Sequence, residues 1–135
     1  MKTIFKIGLV IFISVLHLNC DTKTSKSDSQ GGEVTIILPA EFKLKSENQT
    51  IVDIRTPQEY RQGHIKNAVN INLFDRNFLE EVGKLDKTKP VFIYCRTGNR
   101  TSSASKKMVK LGFQQVYDLK GGISNWVRSK NEIIK

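Results

Sequence analysis

This sequence is short of cysteine, proline and acid, and each shortage closes off some chemistry. It has two cysteines, Cys20 and Cys95, with no Cys-x-x-Cys pair and no histidine–cysteine cluster. A zinc centre or a dithiol redox centre is therefore not expected. Acidic residues number 13 against 22 basic ones, a formal net charge of +9. Such an excess suits nucleic acid, a membrane surface or small anions. The lysines are scattered, however, and no RNA- or DNA-binding motif goes with them. A solvated basic surface is the expectation, and nucleic acid is not an expected partner. The chain also lacks an apolar run of the roughly 20 residues that a membrane span needs. At 135 residues it has room for one domain.

What is present begins with a short apolar core, Ile7 to Leu16, behind Lys2 and Lys6. Its length suits a signal peptide over residues 1–19. Without that segment the balance is 20 basic against 13 acidic, or +7. The core runs into Leu16-His17-Leu18-Asn19-Cys20, which resembles the bacterial lipoprotein signal. In that signal the cysteine is lipid-modified and becomes the new N-terminus. The usual pattern has a leucine three before the cysteine and a small residue just before it; here those positions hold His17 and Asn19. The resemblance implies lipidation at Cys20 and an exported protein held to a membrane in the bacterial cell envelope or periplasm. Asp21 to Gly32 contains no apolar residue. Such a stretch cannot bury surface, so residues 20–32 read as anchor and flexible tether. Residues 33–135 read as the folded domain.

Within it, short strands are expected over 34–38, 50–54, 68–71, 91–94 and 116–119. Helices are expected over 40–44, 58–62, 78–85, 101–111 and 123–127. Phe78, Leu79, Val82 and Leu85 form one stripe, and Ala104, Met108 and Leu111 another, with Lys106, Lys107 and Lys110 outward. Gly112 is placed as a C-terminal cap, and Trp126 as core. The alternation implies an α/β fold, a mainly parallel sheet flanked by helices on both faces.

The organising stretch is Pro90-Val-Phe-Ile-Tyr-Cys-Arg-Thr-Gly-Asn-Arg-Thr101. A buried strand ends on Cys95, a polar turn follows over Arg96 to Arg100, and a helix begins near Thr101. Backbone N–H groups of such a turn can converge on the sulfur. The helix dipole and two arginines favour the thiolate, which is the nucleophilic form. A small buried hydrophobe is the ordinary fate of a free cysteine, but that does not account for the Arg-Thr-Gly-Asn-Arg turn behind it. Arg96 and Arg100 suit bidentate contact with an anion; Arg100 can instead hold the loop through a carboxylate. Gly98 supplies a φ or a close approach that the turn requires. Asp53 reads as a turn cap or arginine partner rather than a general base.

Five segments together resemble the rhodaneses, the thiosulfate and persulfide sulfurtransferases, over most of residues 34–127. They are Val52-Asp-Ile-Arg-Thr-Pro-Gln-Glu-Tyr60, Gly63-His-Ile-Lys-Asn-Ala-Val-Asn-Ile71, Cys95-Arg-Thr-Gly-Asn-Arg100, Gly112-Phe113, and Val116 to Ile123 with Trp126. Thr101 and Ser105 stand where serine and alanine are common. The resemblance implies Cys95 as the catalytic residue and Arg96, Thr97, Gly98, Asn99 and Arg100 as the substrate-binding loop. It implies structural support from Asp53, Arg55 and His64, the last in preference to a Cys–His dyad. It also implies a small anionic sulfur donor such as thiosulfate, a thiol or protein acceptor, and no cofactor or metal. Related phosphatases carry Cys-x5-Arg; here the spacing is Cys-x4-Arg and Thr101 stands at the seventh position. The shorter cradle suits a sulfane sulfur better than a phosphate. A sulfur-carrier or binding module of the same fold is the alternative, with a phosphatase or arsenate reductase and a purely structural surface lipoprotein further behind.

Overall fold

The computed structural model describes residues 31–135. The expected signal peptide, Cys20 and nearly all of the tether lie outside the described residues. Ten elements follow in order: β1 (Glu33–Ile37), α1 (Pro39–Lys45), β2 (Thr50–Asp53), α2 (Pro57–Gln62), β3 (Ala68–Asn70), α3 (Phe78–Gly83), β4 (Val91–Tyr94), α4 (Asn99–Lys110), β5 (Gln115–Leu119) and α5 (Gly122–Arg128). The strands form one five-stranded sheet in the order β1-β5-β4-β2-β3. Every pairing is parallel. Parallel sheets are covered on both faces, and β4, at the centre, is buried at all four residues.

Strand alternation sorts the core into two layers. Val52, Ile54, Val91, Ile93, Cys95 and Val116 join Phe78 and Val82 of α3 and Ala104 and Met108 of α4 on one face. Ile51, Phe92, Tyr94 and Leu119 join Phe42 of α1 and Ile123 and Trp126 of α5 on the other. Phe42 meets Phe92 and Trp126 edge-on, at centroid distances of 5.3 and 6.0 Å. Trp126 is core, as its apolar setting suggested.

Three local readings need correction. The helix after the Cys95 loop starts at Asn99, not Thr101, because Gly98 takes a left-handed φ of 98° and the chain is helical directly after it. Asn99 and Arg100 therefore belong to the first turn of α4. In α3, Phe78 and Val82 are buried but Leu79 is 45% exposed. The helix stops at Gly83, and Leu85 packs beyond it against the core. Gly112 does close α4. It has φ 104°, its N–H bonds Val109 O at 3.0 Å, and Phe113 N–H bonds Met108 O at 3.2 Å. That pair of bonds satisfies the last carbonyls of the helix.

Candidate active site

The site lies at the C-terminal end of β4. Because Val91 and Ile93 face α4, Cys95 does too, two residues on, and it is 1% exposed. Its sulfur receives the Gly98 backbone N–H at 3.1 Å. The left-handed Gly98 turns that N–H back toward the strand end, which few side-chain-bearing residues do cheaply. Of the converging amides expected at the sulfur, this is the one described as bonded. The turn is held again from α4, where Thr101 Oγ1 donates to Gly98 O at 2.8 Å.

The back of the loop is held by the start of α5. Ile123 N–H bonds Cys95 O at 2.9 Å, and Ser124 N–H bonds Arg96 O at 3.1 Å. A Cβ on Gly122 would stand 2.5 Å from Cys95 O and 2.6 Å from Arg96 C and O. The Gly121-Gly122 pair is thus a backing plate for the Cys95 loop. It was visible in the sequence only within the segment Val116 to Ile123, with no role attached.

The two arginines separate. Arg96 is exposed and has no ion pair among the described residues. It lines an open groove of about 410 Å³ together with Arg55, Glu59, Gly63, Ser124 and Val127. Arg100 instead reaches Glu59 of α2. Glu59 is the site residue that sequence reasoning did not single out. Its signal was present in Thr56-Pro57-Gln58-Glu59, a capping box in which the Thr56 side chain accepts from Glu59 N–H and the Glu59 side chain accepts from Thr56 N–H. Chiefly the Arg100 guanidinium pulls the Glu59 carboxyl down from its ordinary 4.5 to about 2, against its partial burial. Thr97 and Asn99 are exposed on the loop's outer side.

The support residues form a second layer. Asp53 is fully buried and grips Arg55, whose Nε and Nη2 donate to its oxygens at 2.6 to 3.0 Å. Arg55 N–H also donates to Asp53 Oδ1 at 2.9 Å, and Arg55 Nη2 reaches Gly63 O at 2.7 Å. Asp53 therefore has its acceptors occupied by one arginine. His64 stacks on Tyr60 at 3.8 Å, with Nδ1 3.1 Å from Tyr60 O. Its backbone bridges Ile134. No described hydrogen bond joins it to Cys95. Tyr94 anchors the next segment by accepting Ile65 N–H at 3.0 Å; burial pushes its phenol well up. Among the described residues no three His, Cys, Asp or Glu side chains gather as a metal site requires.

Comparison with known proteins places the whole of this fold in a family. The family model described as "Rhodanese-like domain" matches residues 38–129. The chain belongs to the rhodanese-like domain family. The thiosulfate sulfurtransferase GlpE of Coxiella burnetii is 35% identical over 83 residues, covering 62% of this chain and 76% of that protein. The tRNA uridine(34) hydroxylase of Pelagibacter ubique is 42% identical over 89 residues, covering 64% of this chain. The chain spans 30% of the length of that relative. Among solved structures, a rhodanese-related protein from Thermoplasma volcanium superposes with a TM-score of 0.67 at 27% identity, covering 74% of this chain and 97% of that one.

Proposed function

We propose that the protein is a sulfurtransferase that carries a sulfane sulfur on Cys95. The observation that carries this reading is the Cys95 sulfur bonded by Gly98 N–H at 3.1 Å beside Arg96, exposed and unpaired among the described residues. An N–H aimed at the sulfur is a donor within reach of the sulfur that Cys95 carries. The likeness to a named thiosulfate sulfurtransferase points the same way.

In the proposed cycle the Cys95 thiolate attacks the outer sulfur of thiosulfate. The S–S bond of the donor breaks and sulfite leaves with its electron pair, so Cys95 holds a persulfide. A thiolate acceptor then attacks the terminal sulfur, taking it as a new persulfide and returning Cys95 to thiolate. A persulfide donor enters in the same way and leaves as a thiolate. Arg96 is assigned to the donor's anionic end and Arg100 to holding the loop. On the same reading the chain is exported and tethered through a lipid on Cys20, as the segment before it suggests.

The test is intact mass of the full chain after thiosulfate. One added sulfur should appear, persist in Cys20→Ser and vanish in Cys95→Ser. A chain that never gains sulfur, or a Cys95→Ser protein that still does, overturns the proposal.

A further inference from the structure

The outward face of α4 carries charge of one sign. Asn99, Ser102, Ser103, Lys106, Lys107 and Lys110 follow one another at spacings of three and four, which puts them on one stripe of the helix. All are exposed, and together they line an open concavity of about 380 Å³. No acid stands in α4. Elsewhere on the surface Lys45, Lys84 and Lys89 each pair with a carboxylate three or four positions away; Lys106, Lys107 and Lys110 have no ion pair among the described residues. The helix dipole favours Lys107 and Lys110 in the last turn. It does not account for Lys106, which stands four before Lys110, where like charges repel.

The stripe starts at the Cys95 loop. Asn99 is the first residue of α4 and follows Gly98, whose N–H is bonded to Cys95 Sγ at 3.1 Å. Arg96 and Thr97 of the same loop are exposed beside it. At 1.5 Å per residue Lys110 lies about 16 Å along the axis from Asn99. That is the reach of a chain segment rather than of a small anion.

We infer that this face of α4 docks an acidic protein segment that brings a thiol to Cys95. Its thiolate attacks the terminal sulfur of the Cys95 persulfide, the S–S bond breaks, and Cys95 leaves as thiolate while the partner holds the new persulfide. Two other polyanions match the face less well. Nucleic acid is met by arginine forks and stacked aromatics, and the concavity has neither. A helix lying on a membrane sinks an apolar face into it, whereas Ala104 and Met108 of α4 are spent on the core.

As a claim about sulfur transfer this rests on the reading above; as a claim about what the face binds it does not. The test uses the full, 15N-labelled chain and synthetic peptides with one cysteine flanked by glutamates, glutamines or lysines. The glutamate peptide, its cysteine replaced by serine, should shift the amide signals of Ser103, Lys106, Lys107 and Lys110, and the lysine peptide should not. From the chain loaded with thiosulfate, sulfur should pass to the glutamate peptide about tenfold faster than to the glutamine peptide at low salt, and the preference should fade by about 1 M salt. Lys106→Gln, Lys107→Gln and Lys110→Gln combined should abolish both effects and leave sulfur uptake from thiosulfate unchanged. Lys43→Gln with Lys66→Gln, exposed on other elements, should abolish neither. No shift on α4, or a preference that survives the triple substitution, overturns the inference. Tighter binding to oligothymidylate or to phosphatidylglycerol vesicles than to the glutamate peptide overturns it too. Shifts on α4 in a chain that takes up no sulfur support the docking face while sinking the sulfur-transfer reading; sulfur uptake without them does the reverse.

Discussion

Arg100 and Glu59 are joined by two parallel hydrogen bonds, Nη1 to Oε2 at 2.8 Å and Nη2 to Oε1 at 2.7 Å. The pair ties the first turn of α4 to α2 across 41 positions of sequence. Both side chains are 21% exposed, so the fork is shielded from full solvent screening. Glu59 also accepts from Thr56 N–H and Oγ1. One carboxylate therefore caps α2 and steadies the Cys95 loop.

The pH dependence follows from the Glu59 shift. Its folded value near 2 lies below the ordinary 4.5. A depressed carboxylate contributes stability above its unfolded value and loses it as pH falls through the folded one. Glu59→Gln should cost about 1 kcal/mol at pH 7. The difference from the native chain should shrink between about pH 4.5 and 2. Urea unfolding at several pH values measures it, and a gap that widens on acidification refutes this role.

Much of the fold was legible because each signal was local. Val91 to Tyr94 has no polar residue, and Phe78, Val82, Ala104 and Met108 fall at helical spacing. The two-faced parallel sheet followed from the alternation of strands and helices. Asp53 and Arg55 sit close in sequence, so their pairing was readable too. What was missed depends on distant contacts. The Thr56-to-Glu59 spacing of a capping box was in the sequence but was not singled out, and nothing local says that Arg100 will choose Glu59. Asp118 lies in a run that reads as ordinary strand, and only packing against α4 reveals its unmatched oxygen. The helix start was misplaced because a glycine N-cap gives no side-chain signal.

Gly122→Ala should be severe. The residue has φ 59°, and its added Cβ would meet backbone atoms at 2.5 to 2.6 Å, which cannot yield as a side-chain tip could. A loss of about 2 kcal/mol or more is expected from strain and displacement together. Sulfur uptake by Cys95 should fall with it, since the clash falls on Cys95 O and Arg96. Gly31→Ala, with nothing within 4 Å, should be silent in both measurements.

Asp53→Ala should destabilise the domain without defining a lost catalyst. It strands Arg55, which is 6% exposed, and breaking one partner of a buried pair costs about 3–5 kcal/mol. Replacing Arg55 as well should recover part of that loss, because no orphan charge then remains. If Asp53→Ala keeps full stability yet loses sulfur uptake, the carboxylate is a general base after all.

Membrane attachment is tested on Cys20 alone. The native chain should take up fatty-acid label in a bacterial host and sediment with membranes, and Cys20→Ala should do neither. The Cys95 site should be unaffected, because the residues that build it all lie beyond position 50. A native chain that is unlabelled and remains in the soluble fraction refutes the anchor.

The sharpest test separates the arginines. Arg96 is exposed and unpaired among the described residues, so Arg96→Ala should leave urea stability within about 0.5 kcal/mol. A charge-assisted hydrogen bond is worth about 1.5–3 kcal/mol, so kcat/KM for thiosulfate should fall about ten- to hundredfold. Most of that loss should vanish when a neutral persulfide precursor replaces the anion. Arg100→Ala should behave in the opposite sense, lowering stability through the lost Glu59 fork and slowing transfer from both donors alike. Lys107→Ala, on the exposed face of α4, should change neither. Cys95→Ser should keep the fold, since serine is nearly the same size, and end sulfur transfer entirely. If Arg96→Ala slows both donors equally, Arg96 shapes the loop rather than meeting the anion, and the division of labour drawn from the Arg100–Glu59 pair fails.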